Sequence, residues 1–69
     1  MNATTTETGR IEYRSATTDR GAVIHPWDSN LTAFGRWEGD RFVCAHFKPS
    51  RGYKSVKSAE RQIARWMAA

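Results

Sequence analysis

Four side chains in this sequence have the chemistry to hold a metal or attack an electrophile: Cys44, His46, His25 and Asp28. Cys44 and His46 are two residues apart, so on a strand they point the same way, and an imidazole beside a thiol can draw off its proton to make a nucleophile. With His25 and Asp28 added, the set could bind zinc. Neither arrangement has a recognised ligand spacing, and a lone cysteine or a strand histidine is ordinarily structural. There is no Gly-rich phosphate loop and no pair of carboxylates on one element for acid and base work. The sequence therefore predicts a binding protein rather than an enzyme, with no cofactor and no metal.

A second set of side chains could neutralise a polyanion. The formal charge is +4 and is unevenly distributed. Residues 1–40 hold four arginines against six carboxylates, a net −2, whereas residues 41–69 hold seven cations against Glu60 alone, a net +6. Lys57, Arg61 and Arg65 recur every fourth residue, and Arg41, Lys48, Arg51 and Lys54 precede them, with Tyr53 interleaved. Such asymmetry points to nucleic acid or to an acidic protein surface as the partner. A solubilising surface is the bland alternative, since a helix row of cations is usually just solvated. Lys57 speaks against it, because a cation near a helix N-terminus opposes the dipole unless an outside anion offsets it.

These side chains need elements to position them. With 69 residues the chain has room for one domain, and a domain of that size buries only about 60% of the surface of its unfolded chain. Residues 1–9 read as a disordered tail ahead of a single domain over 10–69. From Arg10 to Thr17 apolar Ile11 and Tyr13 alternate with charged neighbours, predicting a half-buried strand. Asp19-Arg20-Gly21 reads as a turn and Ala22 to His25 as a short strand that Pro26 ends, followed by a loop over residues 27–30.

Residues 32–37 and 41–47 form the clearest hairpin, with Gly39-Asp40 at its tip. A two-residue turn there sets Glu38 opposite Arg41, Trp37 opposite Phe42, Gly35 opposite Cys44 and Phe34 opposite Ala45. Lys48 to Tyr53 is a basic loop with two breakers, after which Ser55 or a neighbour caps a helix running to the C-terminus. Val56, Ala59, Ile63, Trp66 and Met67 make its apolar stripe. The expected fold is α+β: an antiparallel three- to four-stranded meander packed on one C-terminal helix.

That hairpin register leaves both sheet faces partly apolar, and one helix covers only one of them. Local chain, a second copy in a homodimer, a partner protein or stacked bases could cover the other, which makes Trp37, Phe42 and His46 candidates for a protein interface. The single cysteine, the absence of a charged start and apolar run at the N-terminus, and the absence of a long apolar stretch predict a cytoplasmic protein that does not enter a membrane.

The run from Trp37 to Val43 followed by Gly52-Tyr53-Lys54-Ser55-Val56-Lys57-Ser58-Ala59-Glu60 resembles the N-terminal arm-binding domains of phage integrases and the related AP2-type DNA-binding domains. The resemblance spans about residues 31–67 and implies a three-stranded sheet backed by one helix, with DNA as ligand. In those domains the sheet is basic and reads the major groove, whereas the sheet expected here is mixed in sign and apolar on both faces. In size and style the chain is also similar to the small accessory proteins, anti-CRISPR proteins among them, with which phages manipulate host machinery. Two functions are therefore expected. In the first, Arg41, Lys48, Arg51, Lys54, Lys57, Arg61 and Arg65 hold nucleic-acid phosphates while Tyr53 or Trp37 stacks at the edge. In the second, an inhibitor or adaptor of host proteins uses the apolar sheet face.

Overall fold

The computed structural model describes residues 2–44 and 50–68. Among the described residues, five strands follow one another in space as they do in sequence, every neighbouring pair antiparallel: β1 (Asn2–Thr5), β2 (Ile11–Arg14), β3 (Arg20–His25), β4 (Leu31–Glu38) and β5 (Arg41–Cys44). One helix, α1 (Val56–Ala68), packs on β3 and β4. The α+β meander with a C-terminal helix is as expected, but the strands number five rather than three or four.

The extra strand is β1, cut from the segment read as a tail. Its four residues are all exposed, and backbone pairing to β2 forms it, from Asn2 opposite Arg14 to Thr5 opposite Ile11. A second difference concerns the β2–β3 connection. The turn occupies residues 15–19, where the Ser15 hydroxyl accepts from the backbone N–H groups of Thr17 and Thr18, so β2 stops at Arg14 and β3 already includes Arg20 and Gly21. Gly21 thus serves a strand instead of a turn.

The β4–β5 hairpin has the expected register, with Glu38 opposite Arg41, Trp37 opposite Phe42 and Gly35 opposite Cys44. The pairing expected for Phe34 falls on Ala45, outside the described residues. Gly39 has φ 62° and Asp40 is not among the positive-φ residues, so the tip is a two-residue turn of the II′ kind, which matches strand twist. Beyond residues 45–49 the chain runs beside β4 again, where Arg51 and Thr32 exchange backbone hydrogen bonds of 2.8 and 3.1 Å.

Ser55 caps the helix by accepting from the N–H of Ser58 at 3.1 Å, worth about 1 kcal/mol. The helix buries Ala59, Ile63 and Trp66 against Tyr13, Ala22, Ile24 and Phe34, with Ile11, Tyr53, Val56 and Met67 at the margin. The stripe read from spacing is therefore the core. Trp66 fixes the helix end: its indole N–H donates to the carbonyls of Gly21 (3.0 Å) and Gly35 (3.1 Å), which lie directly opposite each other in β3 and β4.

On the other face a second cluster joins Val23, Ala33 and Trp37, with Phe42 packed against it. Trp37 lies across Gly21, where a Cβ would collide with the indole, and its N–H reaches over to the Tyr13 carbonyl at 2.9 Å. The guanidinium of Arg14 sits 3.9 Å above the ring and also donates to the Gly39 carbonyl at 3.0 Å. At this end the second face is closed by side chains of the chain itself. Among the described residues, no helix is long and apolar enough to cross a membrane.

Candidate nucleic-acid interface

The cations fall into two populations. All four arginines of residues 1–40 are engaged within the fold: Arg10 pairs with Glu12, Arg14 covers Trp37, Arg36 pairs with Glu38 at 2.8 Å, and Arg20 sits 4.2 Å over the Trp66 ring while donating to the Trp66 carbonyl at 2.9 Å. That last contact also sets a cation at the negative end of the helix dipole. It relieves a conflict as well, because Arg20 and Arg36 are directly opposed across β3 and β4, and like charges so placed repel.

The C-terminal cations differ. Arg41, Arg51, Lys54, Lys57, Arg61 and Arg65 are all exposed. The two ion pairs among the described residues involve none of them, and none of their side chains takes part in a hydrogen bond there. The reason is geometric. At about 100° per residue, Lys57, Arg61 and Arg65 point away from the Ala59–Ile63–Trp66 stripe, with Cα atoms about 6 Å apart in sequence along the axis. Glu60, the helix's one carboxylate, turns toward the sheet and accepts a 2.7 Å hydrogen bond from the Tyr13 hydroxyl. Burial first, and then the Glu60 hydrogen bond and charge, raise the Tyr13 phenol well above the usual tyrosine range, so it stays protonated and holds that bond.

The two flanks of the helix also differ. Toward β2, a shallow groove between the 15–17 turn and the last helical turns is lined by Ser15, Ala16, Thr17, Ala64 and Met67, without a charge. Toward β5, the register places Arg36, Glu38, Arg41 and Val43 on the helix side of the sheet, where Glu38 pairs with Arg36 while Arg41 and Val43 are respectively exposed and half-buried. At the helix N-terminus, Arg51 and Lys54 precede the cap, and no acidic residue stands in the first turn. The outcome is a basic surface that follows the roughly 20 Å length of the helix.

Most of the cations singled out by sequence belong to this surface. Tyr53 is half-buried at its edge, and its side chain packs against the core. Lys48 and His46 lie outside the described residues. Trp37 is brought elsewhere: at 7% exposure, hydrogen-bonded and capped by Arg14, it is an interior residue rather than an edge for stacking or docking. Phe42 is half-buried beside it, ring centroids 5.2 Å apart.

The thiol and zinc arrangements are not assembled among the described residues. Cys44 is exposed in β5, His25 ends β3, and the register separates them by four residues and two strand spacings, roughly 16 Å. No group of three His, Cys, Asp or Glu residues among those described could hold a metal ion. What sequence reasoning missed is Trp27, 60% exposed in the β3–β4 connection. It lies outside any periodic pattern, so nothing in the spacing separates it from an ordinary loop aromatic.

No family model matches this chain, and no curated protein or solved structure is similar enough to count as a relative or a structural neighbour.

Proposed function

We propose that this chain is a non-catalytic nucleic-acid-binding domain whose helix and preceding segment hold phosphates through Arg51, Lys54, Lys57, Arg61 and Arg65, with Arg41 extending the surface onto the β4–β5 hairpin. One observation carries the reading: four arginines have internal partners, while six exposed cations on one surface have none among the described residues. Self-repulsion in such a surface is relieved when a polyanion arrives and its counterions are released. The resemblance to integrase arm-binding domains adds to the reading, although here the basic element is the helix rather than the sheet.

The test is a fluorescence anisotropy titration with random-sequence duplex and single-stranded oligonucleotides at low and moderate salt. With six phosphate contacts, affinity should fall roughly a thousandfold between about 50 and 200 mM salt. Absence of binding at the lower salt overturns the proposal.

A second reading is a phage-style inhibitor or adaptor of host proteins, anti-CRISPR proteins being of this kind, acting alone or as a homodimer through the sheet face opposite the helix. Half-buried Phe42 and exposed Cys44 on that face favour it. In that case charge reversal at Lys54 and Arg61 leaves partner binding intact, whereas Phe42→Ala abolishes it.

A further inference from the structure

The three tryptophans have unequal fates. Trp37 and Trp66 are 7% and 6% exposed and donate their indole N–H groups to strand carbonyls. Trp27 is 60% exposed, the one large hydrophobic side chain so placed among the described residues. It is not on a loose loop. Asp28 N–H donates to the His25 carbonyl at 3.1 Å and Leu31 N–H to the Asp28 carbonyl at 2.8 Å. Ser29 and Asn30 both take φ near +50°, a region uncommon for residues with a Cβ, and their surroundings hold them there. The Asn30 side-chain amide donates to the Tyr53 carbonyl at 3.2 Å, and the Thr32 hydroxyl donates to the Asn30 carbonyl at 3.0 Å.

The indole is braced from behind. Its six-membered ring lies 3.8 Å from where a Cβ of Gly9 would stand, and the His25 ring meets it edge-on at 5.3 Å between centroids. His25 Nδ1 is shielded from water and has no hydrogen-bond partner, an unusual state for a buried polar atom.

Location decides what such a platform is for. The 26–30 connection lies at the end of the sheet where β3 finishes and β4 begins, and the Asn30–Tyr53 bond fastens it to the segment carrying Arg51 and Lys54 into the helix N-terminus. A rigid exposed indole therefore shares one end of the molecule with the start of the basic surface. Phosphate-holding cations beside a fixed aromatic are how proteins take strands whose bases are free to stack on a side chain. A duplex offers no such base, because its own neighbours already cover both π-faces.

We infer that Trp27 is a stacking platform for an unpaired base, and that the nucleic acid taken by the basic surface is single-stranded. The inference rests on the reading given under Proposed function and narrows it.

The test uses the full chain and three probes of similar length, about twelve nucleotides: a thymidine oligomer, an abasic oligomer with the same phosphates, and a duplex. Binding is read by anisotropy and by quenching of the Trp27 emission, which the two buried indoles do not report. The thymidine oligomer should bind most tightly and quench. Trp27→Ala should weaken it by roughly five- to a hundredfold and leave the abasic oligomer unaffected, while Trp27→Phe keeps much of the difference. Equal affinities for the thymidine and abasic oligomers, an unchanged thymidine affinity in Trp27→Ala, or preference for duplex overturns the inference while the phosphate-binding reading stands. If no probe binds at low salt, both fall. Circular dichroism of the variants excludes a folding defect as the cause.

Discussion

Residues 1–40 carry four arginines, residues 41–69 four arginines and three lysines, and the two sets do different work. In the first, each guanidinium lies against a carboxylate or an indole within its own fold, so its removal should read out as lost stability. In the second, each described cation is exposed and makes no ion pair or side-chain hydrogen bond among the described residues, although Arg41 lies across the hairpin from Glu38, so its removal should read out as lost binding. Net charge alone ranks the two halves, but partnership explains them. A cation with an internal partner is part of the architecture even when it sits at the surface.

The sharpest way to break that comparison is to reverse Lys57, Arg61 and Arg65 together to Glu. Binding should disappear at physiological salt, and in variants altered singly the logarithmic salt slope should shrink by roughly one per site. The melting temperature should hardly move, because none of the three side chains has a partner to lose. A collapse in stability instead of binding would show that the outward row is structural.

Arg20→Ala is the converse. It removes the guanidinium from above Trp66 and from the Trp66 carbonyl, and should cost about 1–3 kcal/mol by chemical denaturation with little change in affinity. Tyr13→Phe should cost about 1 kcal/mol at neutral pH, because it strips Glu60 of its donor. Its pH profile carries a sign. Since the folded state holds the Tyr13 proton more tightly than the unfolded state does, the wild-type protein should lose stability as pH climbs above about 10. Tyr13→Phe should lack that contribution, and an unchanged alkaline profile would remove Tyr13 as its source. The smallest effect belongs to Arg36→Ala: its ion pair with Glu38 is half exposed on both sides, so stability should change by less than about 0.5 kcal/mol.

The parts of the fold legible in sequence are those where burial imposes a period. The helix stripe from Val56 to Met67 and the hairpin around Gly39 were readable because a one-residue slip would put Ile63 or Phe34 on the wrong side. β1 was not readable: Asn2-Ala3-Thr4-Thr5 buries nothing and exists by backbone pairing, which leaves no hydrophobic trace. Gly21 was misleading because a missing Cβ suits either a turn or an overlying ring, and the ring is contributed by Trp37, sixteen positions away. For the candidate site, the cations could be named from sequence, but not which were free. That depends on Trp66 and Trp37 arriving beneath Arg20 and Arg14, contacts that no spacing encodes.

The paired carbonyls of Gly21 and Gly35, held by the Trp66 indole, also bear on how the chain reaches this state in time. Each strand of the meander pairs with its nearest neighbour in sequence, so the sheet can zip together over short loops without waiting for distant partners. Helix docking is the long-range event, closing separations of 45 and 31 residues in one contact. If docking follows the barrier, Trp66→Phe should accelerate unfolding far more than it slows folding, whereas a poor turn residue at Gly39 should do the reverse. The indole would then act as a latch that sets how long the folded molecule lasts rather than how fast it forms.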